Sequence, residues 1–300
     1  MSDIFETIDY KKDEELKKHT TMRVGGNAKY VFFPTSSDEI KSILEYCIEN
    51  NEKYIFIGNG SNIIFSDKGF DGIVIKLSGN MSKISAEGDR IYAEAGAVLS
   101  KVANLARDNE LTGMEFAAGI PGTIGGAVSM NAGAYGGEMK DIVEYVDILE
   151  NGEIKRYENS EMNFGYRRSI VNEDEHIISD SFDRIIIGAG IKLAKGDKKD
   201  IEARMEELKA KRIEKQPLEY PSSGSTFKRP EGYFAGKLIE DTGLKGYRVG
   251  GAMVSEKHAG FVINYDNATA EDIIRLINDV KDKVYEKFGV ELSPEVKIIG

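Results

Sequence analysis

The chain is poor in the residues that build metal and disulfide chemistry. Of its 300 residues one is cysteine, Cys47, which excludes an intramolecular disulfide and any cysteine-built metal site. The three histidines, His19, His176 and His258, are too scattered for zinc spacing. Basic residues are also in deficit: 40 Lys and Arg face 51 Asp and Glu, giving a net charge of −11 and a pI near 5.0. Such a field repels phosphate backbones and anionic lipid, so nucleic acid is not an expected partner. No apolar run approaches the roughly 18 residues of a membrane span, and Met1 to Tyr10 carries acids instead of a basic, apolar leader. The chain reads as cytoplasmic, without a membrane partner. Long exposed apolar edges are not evident either, which favours a monomer.

What is abundant is glycine, 32 residues against a norm of about 7%. At this length two domains, or one divided by an insertion, are expected. KYVFFP (29–34) and KYIFI (53–57) are β-prone, and Ser36 with Glu39 forms a capping-box pair opening the helix between them, so this stretch reads as a β-α-β unit. Another apolar strand follows at 72–77, then two strands around 83–95 separated by Gly88 and Asp89. Residues 98–110 place Val98, Val102, Leu105 and Ala106 on one helical face. Asn151-Gly152 between alternating apolar residues predicts a type I′ hairpin. Strand 184–193 precedes a strongly charged helix, 200–215, expected to present a solvated face and stopped by Pro217. The composition shift places a domain boundary near 195–216. Beyond it come a helix at 233–241, strands at 247–254 and 260–265, an amphipathic helix at 269–288 and a last strand, EVKIIG.

Seven glycines fall between Gly119 and Gly137, too many for a helix, where each costs about 0.5–1 kcal/mol relative to alanine. Glycine-rich backbone allows close N–H approach to an anion, as a diphosphate requires. The alternative is a long irregular loop packed on the sheet. A second such cradle, Gly58-Asn59-Gly60-Ser61-Asn62, follows a strand in the same half. Neither has the G-x-G-x-x-G pattern opening a helix, and GYFAGKL (232–238) is one residue short of a P-loop and lacks its Ser or Thr. Two glycine-rich loops after short strands suit a dinucleotide lying extended across a mixed α+β domain, and FAD fits better than ATP.

HTTMRVGGNA (19–28), GNGSNIIFSD (58–67), AGIPGTIGGAVSMNAGAYG (118–136), FGYRRS (164–169), SSGSTFKRP (222–230) and SPEVKIIG (293–300) together resemble the UDP-N-acetylenolpyruvoylglucosamine reductase (MurB) family, in the family's order and over nearly the whole chain. The resemblance implies an α+β protein. Its FAD-binding domain, of the vanillyl-alcohol-oxidase type, would span 1–196 with subdomains of about 1–79 and 80–196. A substrate domain would follow at 197–300, its last strand free to pack back on the N-terminal part. It also implies FAD, NADPH as reductant, and reduction of UDP-N-acetylglucosamine enolpyruvate to UDP-N-acetylmuramate in peptidoglycan precursor synthesis. Hydride would pass through FAD to C3 and a serine would protonate C2. Another FAD oxidoreductase of the same fold and a non-catalytic UDP-sugar-binding protein are the alternatives. No histidine or cysteine sits in the glycine-rich loops, so the FAD is expected to be non-covalent and released on denaturation.

Carried residue by residue, the resemblance places the catalytic arginine on Arg167, with Arg168 beside it. A guanidinium offers a planar two-pronged donor to the enolpyruvyl carboxylate and the charge that builds there. The proton-donating serine falls on Ser225, where Lys228 and Arg229 could supply a cationic field. Glu295 matches the family's C-terminal glutamate, either polarising substrate or assisting protonation. FAD would be held by Gly58, Asn59, Gly60, Ser61 and Asn62, and by Gly119, Ile120, Pro121, Gly122, Thr123, Gly125, Gly126, Asn131, Gly133 and Ala134. Tyr135, Arg229, Lys245 and His258 would meet the substrate's diphosphate and sugar. Between Arg167 and Ser225 there is no room for the tyrosine-bearing loop of the family's longer form, so the chain matches the shorter one. Tyr220 and Tyr233 are the candidates to close over the substrate instead.

Overall fold

A computed structural model describes residues 4–172 and 184–300; His176 lies outside them. The chain forms two compact units: residues 1–12, 30–59 and 72–210 make the first, and 13–29, 60–71 and 211–300 the second. Compactness therefore groups the chain differently from a single cut near 195–216. The reason is apolar. Met22, Val24 and Ile64, early in sequence, are buried in one core with Leu276, Val280 and Val296.

In the first unit the helix Ser37–Glu49 starts where Ser36 Oγ accepts Glu39 N at 3.2 Å, and it buries Ile40, Ile43, Leu44 and Cys47 at helical spacing. The expected reciprocal half of the capping box is not made. The Glu39 carboxylate instead accepts from Thr35 N (2.7 Å) and Thr35 Oγ1 (2.9 Å), two donors where Ser36 offers one backbone N–H. The β-α-β stretch has its strand, helix and strand as expected, and the sheet order is Tyr10–Glu15, Asn27–Phe32, Phe70–Lys76, Tyr54–Ile57, so a later strand lies between the two that flank the helix. That later strand is IVI-rich and buried from Gly72 to Ile75, so it takes the interior place.

The second sheet of this unit is antiparallel, in the order Glu153–Glu158, Val143–Glu150, Ile185–Lys192, Arg90–Glu94, Ile84–Glu87. Asn151 (φ 53°) and Gly152 (φ 79°) close its outer hairpin with Glu150 opposite Glu153, the two left-handed residues of a type I′ turn. The helix Leu99–Asp108 buries Leu99, Val102, Ala103 and Ala106, with Leu105 only half-buried. The charged helix Lys198–Lys215 buries just Ile201 and Leu208.

The second unit packs the helix Ala270–Phe288 on a three-stranded sheet, Arg248–Val249, Ala252–Val254 and Val262–Asn264. The helix buries Ile273, Leu276, Ile277, Val280 and Val284, each worth about 1.5–3 kcal/mol by area. Its N-terminus is closed from far away in sequence: Asp67 Oδ1 accepts Ala270 N at 2.8 Å and Oδ2 accepts Glu271 N at 2.9 Å. Thr269 Oγ1 takes the third donor, Asp272 N, at 3.1 Å. An anionic cap also opposes the positive end of the helix dipole. Asp67→Ala is expected to cost about 1–2 kcal/mol, read as a lowered urea midpoint at unchanged m-value. The last strand, Lys297–Ile299, pairs in parallel with Ile63–Phe65. Among the described residues no helix is long and apolar enough to cross a membrane, and no cluster of His, Cys, Asp and Glu is arranged to hold a metal.

Candidate active site

The glycine-dense segment is built, residue by residue, to bring backbone to a surface. After a turn at Glu115–Ala117, Gly122 O accepts Leu99 N at 3.1 Å, and Thr123 leads into the short helix Ile124–Ser129. Ile124 N donates to Ala97 O (2.9 Å) and Gly125 N to Ala95 O (2.8 Å), docking the helix start on the end of strand Arg90–Glu94. Side chains would prevent this approach: a Cβ on Gly58 would lie 2.2 Å from Thr123 Oγ1, and one on Gly125 3.0 Å from Ala95 Cβ.

The result is a cavity of about 210 Å³ in the first unit, lined by Gly58, Thr123, Gly125 and Gly126 together with Tyr54, Leu77 and Ile185. A Cβ added at Gly126 would meet only Thr123 Oγ1, at 3.7 Å, so that glycine opens onto free space. Among the described residues no carboxylate lines the cavity, and Arg184 is the cation on its wall. Glu150 Oε1 holds Arg184 Nε at 2.7 Å, and Arg184, Lys155 and Tyr157 together keep the Glu150 carboxyl down at about 2, so the pair stays ionised at neutral pH. An apolar, glycine-floored cavity with an arginine on its wall fits a large aromatic ligand with an anionic bridge.

Four of the predicted cofactor residues thus gather on this cavity. Gly119, Ile120, Pro121 and Gly122 form the turn that leads to it, while Gly133 and Ala134 pair with Gly137–Glu138 in a hairpin whose turn holds Tyr135 (φ 53°). Tyr135 is exposed. Asn131, expected to contact the cofactor, has an internal use as well. It is buried, its Nδ2 donates to Glu138 Oε2 and to Gly165 O, both at 3.0 Å, and its Oδ1 accepts Lys140 N at 2.9 Å. Its amide fastens the arginine turn to the glycine-rich segment. Ser169 Oγ reinforces it by donating to Ser129 O at 2.6 Å.

In that turn Gly165 and Arg168 exchange backbone hydrogen bonds, and Arg167 has φ 56°, the left-handed third residue of a type II pattern. The turn half-buries Arg167 and leaves Arg168 exposed, which separates the two candidates. The Lys140 ion pair, aided by the Asn131 amide and the Arg167 charge, holds the Glu138 carboxyl below its ordinary range. Glu138 thus remains an anion facing the arginine.

The second unit holds the other candidates. Residues 226–228 run between two neighbours. Thr226 N donates to Gly260 O (2.9 Å), while Glu295 N donates to Thr226 O and Lys228 N to Ser293 O, both at 2.8 Å. Ser225, exposed, and Glu295, only 9% exposed, therefore belong to adjacent segments joined by an isolated β-bridge between Phe227 and Pro294. Of the GNGSN loop, Gly60, Ser61 and Asn62 belong to this unit. Asn62 Nδ2 donates to Glu295 O at 3.1 Å, so its side chain supports the glutamate's backbone.

Arg229, His258 and Lys245 assemble around the helix Ala235–Asp241. Arg229 stacks on Phe234 at 4.0 Å, and a Cβ on Gly236 would lie 3.3 Å from His258 Cε1. Lys245 Nζ pairs with Glu240 at 2.8 Å. Burial, with the Lys245 charge, lowers the His258 pKa, and its Nδ1 accepts Gly260 N at 3.1 Å, so the ring is neutral at physiological pH. Tyr233 is exposed, whereas Tyr220 leans on Tyr265 at 5.3 Å. Sequence reasoning did not anticipate Tyr54, Leu77, Arg184 and Ile185, because strand residues facing a ligand look like strand residues facing a core.

Comparison with known proteins agrees with this architecture. Residues 28–158 match the FAD binding domain, and residues 216–299 match the C-terminal domain of UDP-N-acetylenolpyruvoylglucosamine reductase. The UDP-N-acetylenolpyruvoylglucosamine reductase of Caldanaerobacter subterraneus subsp. tengcongensis is 52% identical over 289 residues, covering 96% of this chain and 93% of its own. That of Clostridium beijerinckii is 48% identical over 300 residues, 100% of this chain and 96% of its own. The crystal structure of the Thermus caldophilus enzyme (MurB) superposes with a TM-score of 0.81 at 33% identity, covering 98% of this chain and 99% of that one. An FAD-binding domain joined to this C-terminal domain, with half of its sequence shared along the full length, is decisive: the chain belongs to the UDP-N-acetylenolpyruvoylglucosamine reductase family and is an FAD-dependent oxidoreductase.

Proposed function

We propose that the protein reduces UDP-N-acetylglucosamine enolpyruvate to UDP-N-acetylmuramate with NADPH in the cytoplasm, acting as a monomer. FAD, when bound, supplies the hydride relay from NADPH to C3 of the enolpyruvyl group. The remaining work falls to side chains. Gly58, Thr123, Gly125 and Gly126 floor the cofactor cavity with backbone, whose N–H groups, apart from that of Gly125 bound to Ala95 O, can face the pyrophosphate. Arg167, half-buried in a rigid turn, binds the substrate carboxylate through two parallel donors and stabilises the charge that builds on it.

Ser225 transfers its hydroxyl proton to C2. A serine is a weak acid, but the carbanion it protonates is far more basic, and Lys228 and Arg229 offset the resulting alkoxide. Glu295 orders the same end of the site, and Arg229, Lys245, His258 and Tyr135 receive the diphosphate and sugar. The observation that supports this reading most is the backbone hydrogen bond from Glu295 N to Thr226 O, because it draws together segments carrying the hydroxyl and the carboxyl from 70 residues apart. The test is steady-state oxidation of NADPH. It is expected to proceed only with the enolpyruvyl UDP-sugar present and to yield one UDP-N-acetylmuramate per NADPH. Equal turnover with oxygen alone would sink the assignment.

A further inference from the structure

The HTTM segment carries no chemistry of its own, yet in the second unit it touches both loops on which the reaction depends. Thr21 N donates to Gly60 O at 3.1 Å, inside GNGSN, and Thr21 Oγ1 donates to Ser222 O at 2.7 Å, three residues before Ser225. Next to it, Met22 O accepts Asn264 Nδ2 at 3.2 Å, and Asn264 N donates to Pro221 O at 2.9 Å. One end of this link cannot slip: Gly60 has φ +61°, and a Cβ there would lie 2.2 Å from His19 O.

The other end is soft. Gly224 has φ +73° with open space around it. The Ser223 hydroxyl is buried without a hydrogen-bond partner among the described residues. The residues that bracket this turn are tied to strand Val262–Asn264, Ser222 by a bridge to Ile263 and Thr226 by its Oγ1, which accepts Val262 N at 2.9 Å. Thr21 Oγ1 adds the side-chain anchor on the Ser222 carbonyl, where the chain departs toward Ser225.

We propose that Thr21 is a positioning residue for protonation, its hydroxyl holding the Ser225 turn in register with the GNGSN loop. This rests on Ser225 being the proton donor. Loss of one hydrogen bond that sets a reacting group to within an ångström costs up to about 100-fold in rate. Thr21→Val keeps the shape and removes the donor; Thr21→Ser restores it.

In stopped-flow measurements on the holoenzyme, Thr21→Val is expected to be reduced by NADPH within about twofold of the parent rate. Reoxidation by the enolpyruvyl UDP-sugar is expected to slow by about 10- to 100-fold, with unchanged flavin content, and Thr21→Ser to recover to within about threefold. Because Thr21 acts through Ser225, adding Thr21→Val to Ser225→Ala is expected to slow reoxidation no further. Parental reoxidation in Thr21→Val overturns the inference, as does an equal fall in both half-reactions, or flavin loss in step with the slowing. A penalty that persists in full in the Ser225→Ala background overturns the positioning role alone. Unimpaired reoxidation in Ser225→Ala itself is a different result, and overturns the proton-donor reading beneath it.

Discussion

Replacing Ser225 with alanine is expected to leave reduction of the bound flavin by NADPH within about twofold of the parent rate and to slow reoxidation by substrate by about 10²- to 10⁴-fold, the range of a lost general acid. The asymmetry is the diagnostic. Ser225 is exposed at the start of residues 226–228, whose backbone is held on both sides by Gly260 and Glu295, so removing a hydroxyl from its surface disturbs no core contact. Stability and flavin content are expected to stay at parental values. Rapid mixing of pre-reduced enzyme with the enolpyruvyl UDP-sugar isolates the affected step. An equal loss in the two half-reactions would assign Ser225 to a structural task and leave the proton source open.

The second large effect concerns the cofactor. Gly126→Leu places a side chain where the only neighbour of a Cβ is Thr123 Oγ1 at 3.7 Å, so the protein accommodates it and the cavity does not. Leucine is also a better helix former than glycine, by about 0.8–1 kcal/mol at an interior helical position, which favours a folded product. The expected protein is stable, monodisperse and colourless, with absorbance at the flavin bands reduced at least tenfold per mole of chain. Gly125→Ala separates this from a packing defect. Its Cβ would press on Ala95 Cβ at 3.0 Å and Ala95 O at 3.2 Å, so it is expected to lower the melting temperature as well. Full flavin content in Gly126→Leu would mean that FAD lies elsewhere.

Much of the fold was legible because local signals and packing agree. The Ser36 cap, the 40/43/44/47 stripe and the Asn151-Gly152 turn each need only a few neighbouring residues to be decided. Strand order was not legible, since nothing in Phe70–Lys76 announces that it enters between two earlier strands. Nor was the use of Asn131 and Asn62. An asparagine in a glycine-rich loop reads as a ligand contact, and only the structure reveals that both amides are engaged by distant backbone, at Gly165 and Glu295. Thr21 and Asp67 fall in the same class. Their partners lie 201 and 203 residues away, beyond any window in which spacing carries information. Of the site, residue identities came through motif resemblance, whereas the apolar walls of the cavity came only from coordinates.

The interlacing of early and late segments in the second unit bears on how the polypeptide is born. Residues 13–29 and 60–71 leave the ribosome long before Ala270–Phe288 and Lys297–Ile299, the pieces that bury Met22 and Ile64 and pair with Ile63–Phe65. At about 5–20 residues per second the wait is on the order of tens of seconds, during which an apolar Ile-Ile-Phe edge has no strand partner. Nascent chains stalled before Ala270–Phe288 are therefore expected to bind holding chaperones, and synthesis of Lys297–Ile299 supplies the strand that covers the edge.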